Sequence, residues 1–240
     1  MVECSSQVAH EPRRRWITQL GLVLGLTAAS LLIMSSDDAV NGGWERKTFL
    51  VGRMAVLIAV CTLFLRQEGE TWSELGLRRP RPWWKVPILV AGGFGLLLVT
   101  VLVITNQVLP ALGAPPPRPS AKIALRGDLS EYLFWAIPVA WGSAAFGEEL
   151  LLRGFVLDRF AKLIGSSSLP ATLCAIMLQA LVFGAFHLYQ GVAGGVIAGA
   201  IGTIMGLIWL AGGRNLWPCF LLHGLADFIS YTDKFTAAAS

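Results

Sequence analysis

An all-α, polytopic bundle of about seven transmembrane helices, within a range of six to eight, is the fold the sequence predicts. Three observations carry it. Hydrophobic residues make up 55% of the 240 and charged ones only 14%, where a soluble domain carries about a quarter charged residues. Mean hydropathy is +0.62, and apolar runs of about 18 residues or more, long enough to cross a bilayer core, recur along the chain. Nine tryptophans, several of them at run ends (Trp16, Trp44, Trp83, Trp84 and Trp217), suit interfacial anchoring.

Polar residues 1–15 end in Arg13, Arg14 and Arg15, and an apolar stretch follows over 16–34. The arrangement superficially resembles a signal peptide. Its apolar part is longer than the usual signal core and no small-x-small site precedes a soluble domain, so an uncleaved first span is expected. Further spans are expected at 48–65, 86–109, 131 to about 163, 169–189, 191–211 and 215–231. The stretch 130–164 is unusual because it carries Glu148, Glu149, Arg153, Asp158 and Arg159. Wholly helical, it would be roughly 50 Å long, and Pro138 is expected to kink or break it. Four prolines in 114–120 mark a loop. The expected organisation is therefore N-terminal spans over 1–113, a Pro-rich loop at 114–129 and core spans over 130–231, all within one integral membrane domain. Glycines at 191, 195, 199, 202 and 206 form the small-residue pattern that lets helices approach closely in lipid, so that span is expected to be an interior helix.

The formal charge is +4 and the pI about 9.1, an excess expected of loop lysines and arginines on a membrane protein. Membrane lipids are expected partners and nucleic acid is not. The four cysteines (Cys4, Cys61, Cys174, Cys219) are scattered without CxxC spacing, so neither a disulfide framework nor a thiolate zinc site is expected. Alternation of spans puts Arg13 to Arg15, the loop 66–85, the 153–168 region and Arg214 on one side, with 12 of the 19 Lys and Arg. The other side receives six (Arg46, Lys47, Arg118, Lys122, Arg126 and Lys234). The positive-inside rule then predicts a multi-pass cell-membrane protein with a cytoplasmic N-terminus.

Ionisable residues inside apolar segments cost free energy and ask for a partner or a function. They are Glu148, Glu149 and Arg153 in FGEELLLRG, His187 in FGAFHL, His223 and Asp227 in LHGLADF, and Arg53 in the second span. Glu149 and Arg153 stand four apart in the favourable acid-first order, whereas Glu148 lies about 100° around the helix from Glu149. Either Glu149 and Arg153 pair and leave Glu148 facing a cavity, or all three form one structural network. The 165–168 turn folds the Glu-bearing helix against the next, bringing Glu148 and His187 to similar depth. His223 and Asp227 share a face but sit shallower by residue count, so tilt or a delayed helix start after Pro218 must supply the difference. Such a set permits a carboxylate and an imidazole to activate water while a second imidazole stabilises an oxyanion. The same His187, His223, Asp227 and Glu148 could instead ligate zinc. HExxH, GxSG and GxGD motifs are absent.

At these residues the sequence resembles the CPBP or Abi family of CAAX prenyl proteases and bacteriocin-processing proteins. The family's EExxxR motif corresponds to Glu148, Glu149 and Arg153, its FxxxH motif to Phe183 and His187, and its Hxxx(N/D) motif to His223 and Asp227. Upstream, TWSELGLRRP at 71–80 is similar to the family's tryptophan and Gly-Leu-Arg signature. The resemblance implies an intramembrane endopeptidase acting on a peptide or lipidated protein. Glu148 and His187 would activate water, His223 and Asp227 would support the oxyanion, and Glu149, Arg153 and Phe183 would be structural support. It is compatible with either a glutamate mechanism or zinc. An ionised Asp227 would repel an oxyanion where an asparagine would donate to it, so Asp227 must be protonated, orient His223 or bind a metal. Prenyl-protease relatives imply a site open to the cytosol, whereas charge counting places Glu148 and His187 in the outer half. The alternatives to a peptidase are a catalytically silent immunity or scaffold protein and, from a third class, a proton-coupled transporter, for which no inverted repeat speaks.

Overall fold

The computed structural model describes residues 3–33, 42–116, 125 and 128–237, and every regular element among them is a helix. Helices α1 (Glu3–Ile33) and α2 (Trp44–Gln67) come first. Helix α3 starts as Lys85–Val103 and continues through a π-helical turn, Ile104–Val108, into Leu109–Ala111. Helix α4 starts as Leu129–Phe134, winds through π-helical Trp135–Glu148 and Leu150–Val156, and closes as Leu157–Ile164. Helix α5 (Leu169–Phe186) leads through a 3-10 turn, Leu188–Gln190, into α6 (Gly191–Ala211), and α7 is Trp217–Ala237.

Seven helices thus stand at the seven expected runs. Five of them are long and apolar enough to cross a membrane: Pro12–Ile33, Trp44–Gln67, Lys85–Ala111, Leu169–Phe186 and Leu188–Ala211. The other two, α4 and α7, carry Glu148, Glu149, Arg153, His223 and Asp227, which dilute their hydropathy. Met34 and most of the Pro-rich loop (117–124 and 126–127) lie outside the described residues.

Of the kink or break expected at Pro138, the break is absent, because α4 runs through it in π-helical form. Proline removes a donor and crowds the carbonyl four residues back. The wider turn pairs each N–H with a carbonyl five residues back and relieves that crowding. More residues per turn also mean less advance per residue, so Glu148 lies shallower than an ideal rise suggests. Helix α7 starts at Trp217 with Pro218 in its first turn, so no delayed start is needed to raise His223. The turn before α5 forms as expected. Gly165 caps α4 in the left-handed conformation at φ 74°, and the Ser168 side chain accepts from Ala171 N.

The helices alternate in direction between two ends of the bundle. At one end Trp16 donates to Glu68 at 3.3 Å, Arg78 donates to the Gly213 carbonyl at 3.0 Å, and Arg214 donates to Thr172 at 3.2 Å. Arg159, fully buried there, is ringed by Gln19 (3.0 Å), Glu68 (3.4 Å), Glu70 (3.2 Å) and Asp158 (2.5 Å), with Lys162 bridging the same three acids. This network ties the loop after α2 to α1 and α4. At the opposite end Lys47 pairs with Glu131, and the hydroxyls of Tyr132 and Thr232 meet at 3.0 Å.

Partial burial works against ionisation of Glu70, but hydrogen bonds and charge from Lys162 and Arg159 hold its carboxyl below the usual range. A depressed carboxylate stabilises the fold above its unfolded pKa, and that contribution is lost as pH falls through the lower folded value. Glu70→Gln should therefore lower the thermal midpoint near pH 7 and narrow the difference from wild type below about pH 4, as read by melting in detergent.

Helices α5 and α6 touch backbone to backbone. A Cβ added at Gly184 would fall 2.7 Å from the Gly195 carbonyl and 3.3 Å from Gly199, and one at Gly202 would fall 3.1 Å from the Ala180 Cα. Half of the α6 span is buried, the largest share among the five candidate spans, in line with its expected interior position. Gly184→Ala must push backbone aside and should destabilise the protein by about 1–3 kcal/mol, with a lowered melting midpoint as the check.

Candidate active site

Helices α4 to α7, closed by α2 and α3, surround a cavity of about 350 Å³ lined by Glu148, His187, His223 and Asp227. The four residues proposed from three separate motifs are therefore gathered at one site. Each is positioned by local chemistry. His187 stands at the C-terminal cap of α5, where the last carbonyls have no partner within the helix. Its Nδ1 lies 2.9 Å from the Phe183 carbonyl. A carbonyl only accepts, so Nδ1 carries the proton, and in the neutral ring Nε2 is left as a base.

His223 is held by a different group. Its Nδ1 lies 2.8 Å from Glu149 Oε1, the same oxygen that accepts from Arg153 Nη1 at 3.0 Å. Glu149 and Arg153 are the fully buried pair expected from their spacing, but Glu149 also orients His223, a contact across 74 residues that no local pattern revealed. The Arg153 guanidinium lies 4.8 Å from the Phe183 ring centroid, and that ring meets the His187 ring edge-on at 4.4 Å. One chain of contacts thus runs from His223 through Glu149, Arg153 and Phe183 to His187.

Asp227 Oδ2 stands 3.6 Å from His223 Nε2, ion-pair distance but beyond a hydrogen bond. Glu148 makes no hydrogen bond or ion pair among the described residues, and its half-buried side chain lines the cavity. Arg53 lines it too, donating to the Ser30 carbonyl at 3.3 Å. Sequence reasoning missed Ser143, Tyr189, Tyr231 and Lys234 on the cavity wall. Tyr231 and Lys234 were within reach of it, because they continue the α7 face of His223 and Asp227 at helical spacing.

Zinc would need several of these donors around one point. Among the described residues no three His, Cys, Asp or Glu side chains come together at such spacing. As arranged, the donor set falls short of a zinc site. What the arrangement offers is a carboxylate with no hydrogen bond or ion pair among the described residues, an imidazole of fixed tautomer and a second imidazole anchored from behind, all facing one cavity in a helical membrane bundle.

Residues 130–229 match the family model described as type II CAAX prenyl endopeptidase Rce1-like. That segment holds Glu148, His187, His223 and Asp227, so the core of this multi-pass helical bundle is similar to the type II CAAX prenyl endopeptidases. No curated protein and no solved structure matches the chain.

Proposed function

We propose that the protein hydrolyses a peptide bond of a membrane-associated or lipidated polypeptide without a metal, with Glu148 and His187 activating the water. The observation that carries this reading is Glu148 itself. It is the one carboxylate of the motif set that neither pairs with Arg153 nor contacts a histidine among the described residues, while the same cavity receives His187. A water held between Glu148 and His187 Nε2 gives up a proton to this pair as its oxygen attacks the carbonyl carbon. The pair returns a proton to the leaving amine. His223, in its imidazolium form, directs Nε2–H at the oxyanion while Asp227 balances its charge. Glu149 and Arg153 are positioning residues, and Phe183 sets the tautomer of His187 through its carbonyl.

The test is detergent-solubilised protein incubated with a fluorogenic prenylated peptide and, in parallel, a mixed peptide library, with and without chelator. Cleavage that survives chelation is expected. Loss on chelation with recovery on added zinc would overturn the metal-free mechanism, and no cleavage of any peptide by well-folded protein would overturn the peptidase.

A further inference from the structure

We infer that the cavity opens on the extracytoplasmic face of the membrane, so that its substrate is a polypeptide segment presented outside the cytosol, such as the membrane-proximal tail of an exported or lipid-anchored protein. The orientation stands independently of the chemistry, and the word substrate rests on the peptidase reading above.

The first observation is where the cavity lies. Its wall runs from the start of α2 (Leu50, Arg53), the α5–α6 turn (Tyr189, Gln190) and the last turns of α7 (Tyr231, Lys234) inward to Glu148, Met205 and His223 in the middle of the bundle. None of its lining residues comes from the 66–85 loop, the 157–172 region or 209–217. Those three segments are held together at the opposite end by the Arg159 network and by the contacts of Arg78, Arg214 and Gly76, whose carbonyl accepts from Leu216 N at 3.1 Å. The cavity and the Arg159 network therefore occupy opposite ends of one bundle.

The second observation is the distribution of the other cations. Ion pairs consume Arg159 and Lys162 at the network end, Lys47 at the cavity end and Arg153 beside the site between them. The network end still exposes nine cations in short segments beside its helices: Arg13, Arg14, Arg15, Arg66, Arg78, Arg79, Arg81, Lys85 and Arg214. The cavity end has Arg46, Lys234 and, on the cavity wall, Arg53, with Arg118, Lys122 and Arg126 falling between α3 and α4 in sequence. Lysines and arginines in short loops are retained on the cytoplasmic side, where the leaflet is anionic and translocation of positive charge is opposed. The network end thus faces the cytosol and the cavity faces away from it.

The experiment introduces single cysteines into a variant in which the four native ones are replaced by alanine or serine. Exposed positions Glu45→Cys and Asp233→Cys report the cavity end, and Arg79→Cys and Ser167→Cys the network end. A membrane-impermeant maleimide should label the first pair in intact bacterial spheroplasts and the second only after permeabilisation. The reverse pattern, labelling of both pairs, or labelling of neither in intact cells would overturn the inference. Should the cysteine-free protein fail to accumulate, reporters joined to the C-terminus of the native chain replace it. Alkaline phosphatase, active only outside the cytosol, should then be active, and a cytosol-dependent fluorescent protein dark; the opposite overturns the inference. The fluorogenic prenylated peptide is also supplied to intact and lysed spheroplasts. Cleavage only after lysis counts against the orientation and leaves the peptidase standing. Labelling as expected with no cleavage in either sample counts against the peptidase and leaves the orientation standing.

Discussion

Glu148→Gln should abolish peptide hydrolysis and leave the bundle as stable as wild type. Glutamine keeps the shape but cannot take the proton of the attacking water, and a positioned general base contributes roughly 10²–10⁴-fold. A loss of about 10³-fold in kcat corresponds to about 4 kcal/mol of transition-state stabilisation. Stability should hold because Glu148 gives up no hydrogen bond or ion pair within the described residues. The measurement pairs kcat/KM on the fluorogenic peptide with a thermal melt of the same preparation. Activity within tenfold of wild type would remove Glu148 from the reaction. A scaffold or immunity protein would keep its cellular phenotype in this variant, so the phenotype separates that reading from the peptidase.

Glu149→Gln should act in the opposite sense, on folding before chemistry. Arg153 would remain charged with a fully buried side chain and no carboxylate, and breaking a buried pair costs about 3–5 kcal/mol. That is a large part of a typical total of about 5–15 kcal/mol, so the single variant should accumulate poorly. Pairing Glu149→Gln with Arg153→Met removes the stranded charge and should restore much of the melting midpoint. It should not restore hydrolysis, because the carboxylate that accepts from His223 Nδ1 is gone. A double variant both stable and fully active would show that Glu149 does not position His223.

The sequence pattern made the seven apolar runs and the 165–168 turn legible because these depend on neighbours a few residues away. It also made the Glu149–Arg153 pair readable, since i and i+4 on a helix are adjacent whatever the rest of the chain does. Two things were hidden. The π-helical winding of α4 is a response to Pro138 and to packing that no run of hydropathy encodes. The second duty of Glu149 depends on α7 arriving beside α4, just as the Lys47–Glu131 and Arg159–Gln19 contacts depend on helices 84 and 140 residues apart in sequence meeting. Residue types nominated the candidates, and tertiary packing decided which carboxylate stayed without a hydrogen bond or ion pair among the described residues.

The glycine contact between α5 and α6 bears on motion. Where Gly184 lies against Gly195 and Gly199 no layer of side chains separates the two helices, so there are no rotamers there to hop and no lipid tail or water to admit. The pair moves as one rigid plank. His187, at the end of α5, inherits that stiffness, and its amide and those of Gly184 and Gly199 should be among the slowest in the protein to exchange with deuterated solvent.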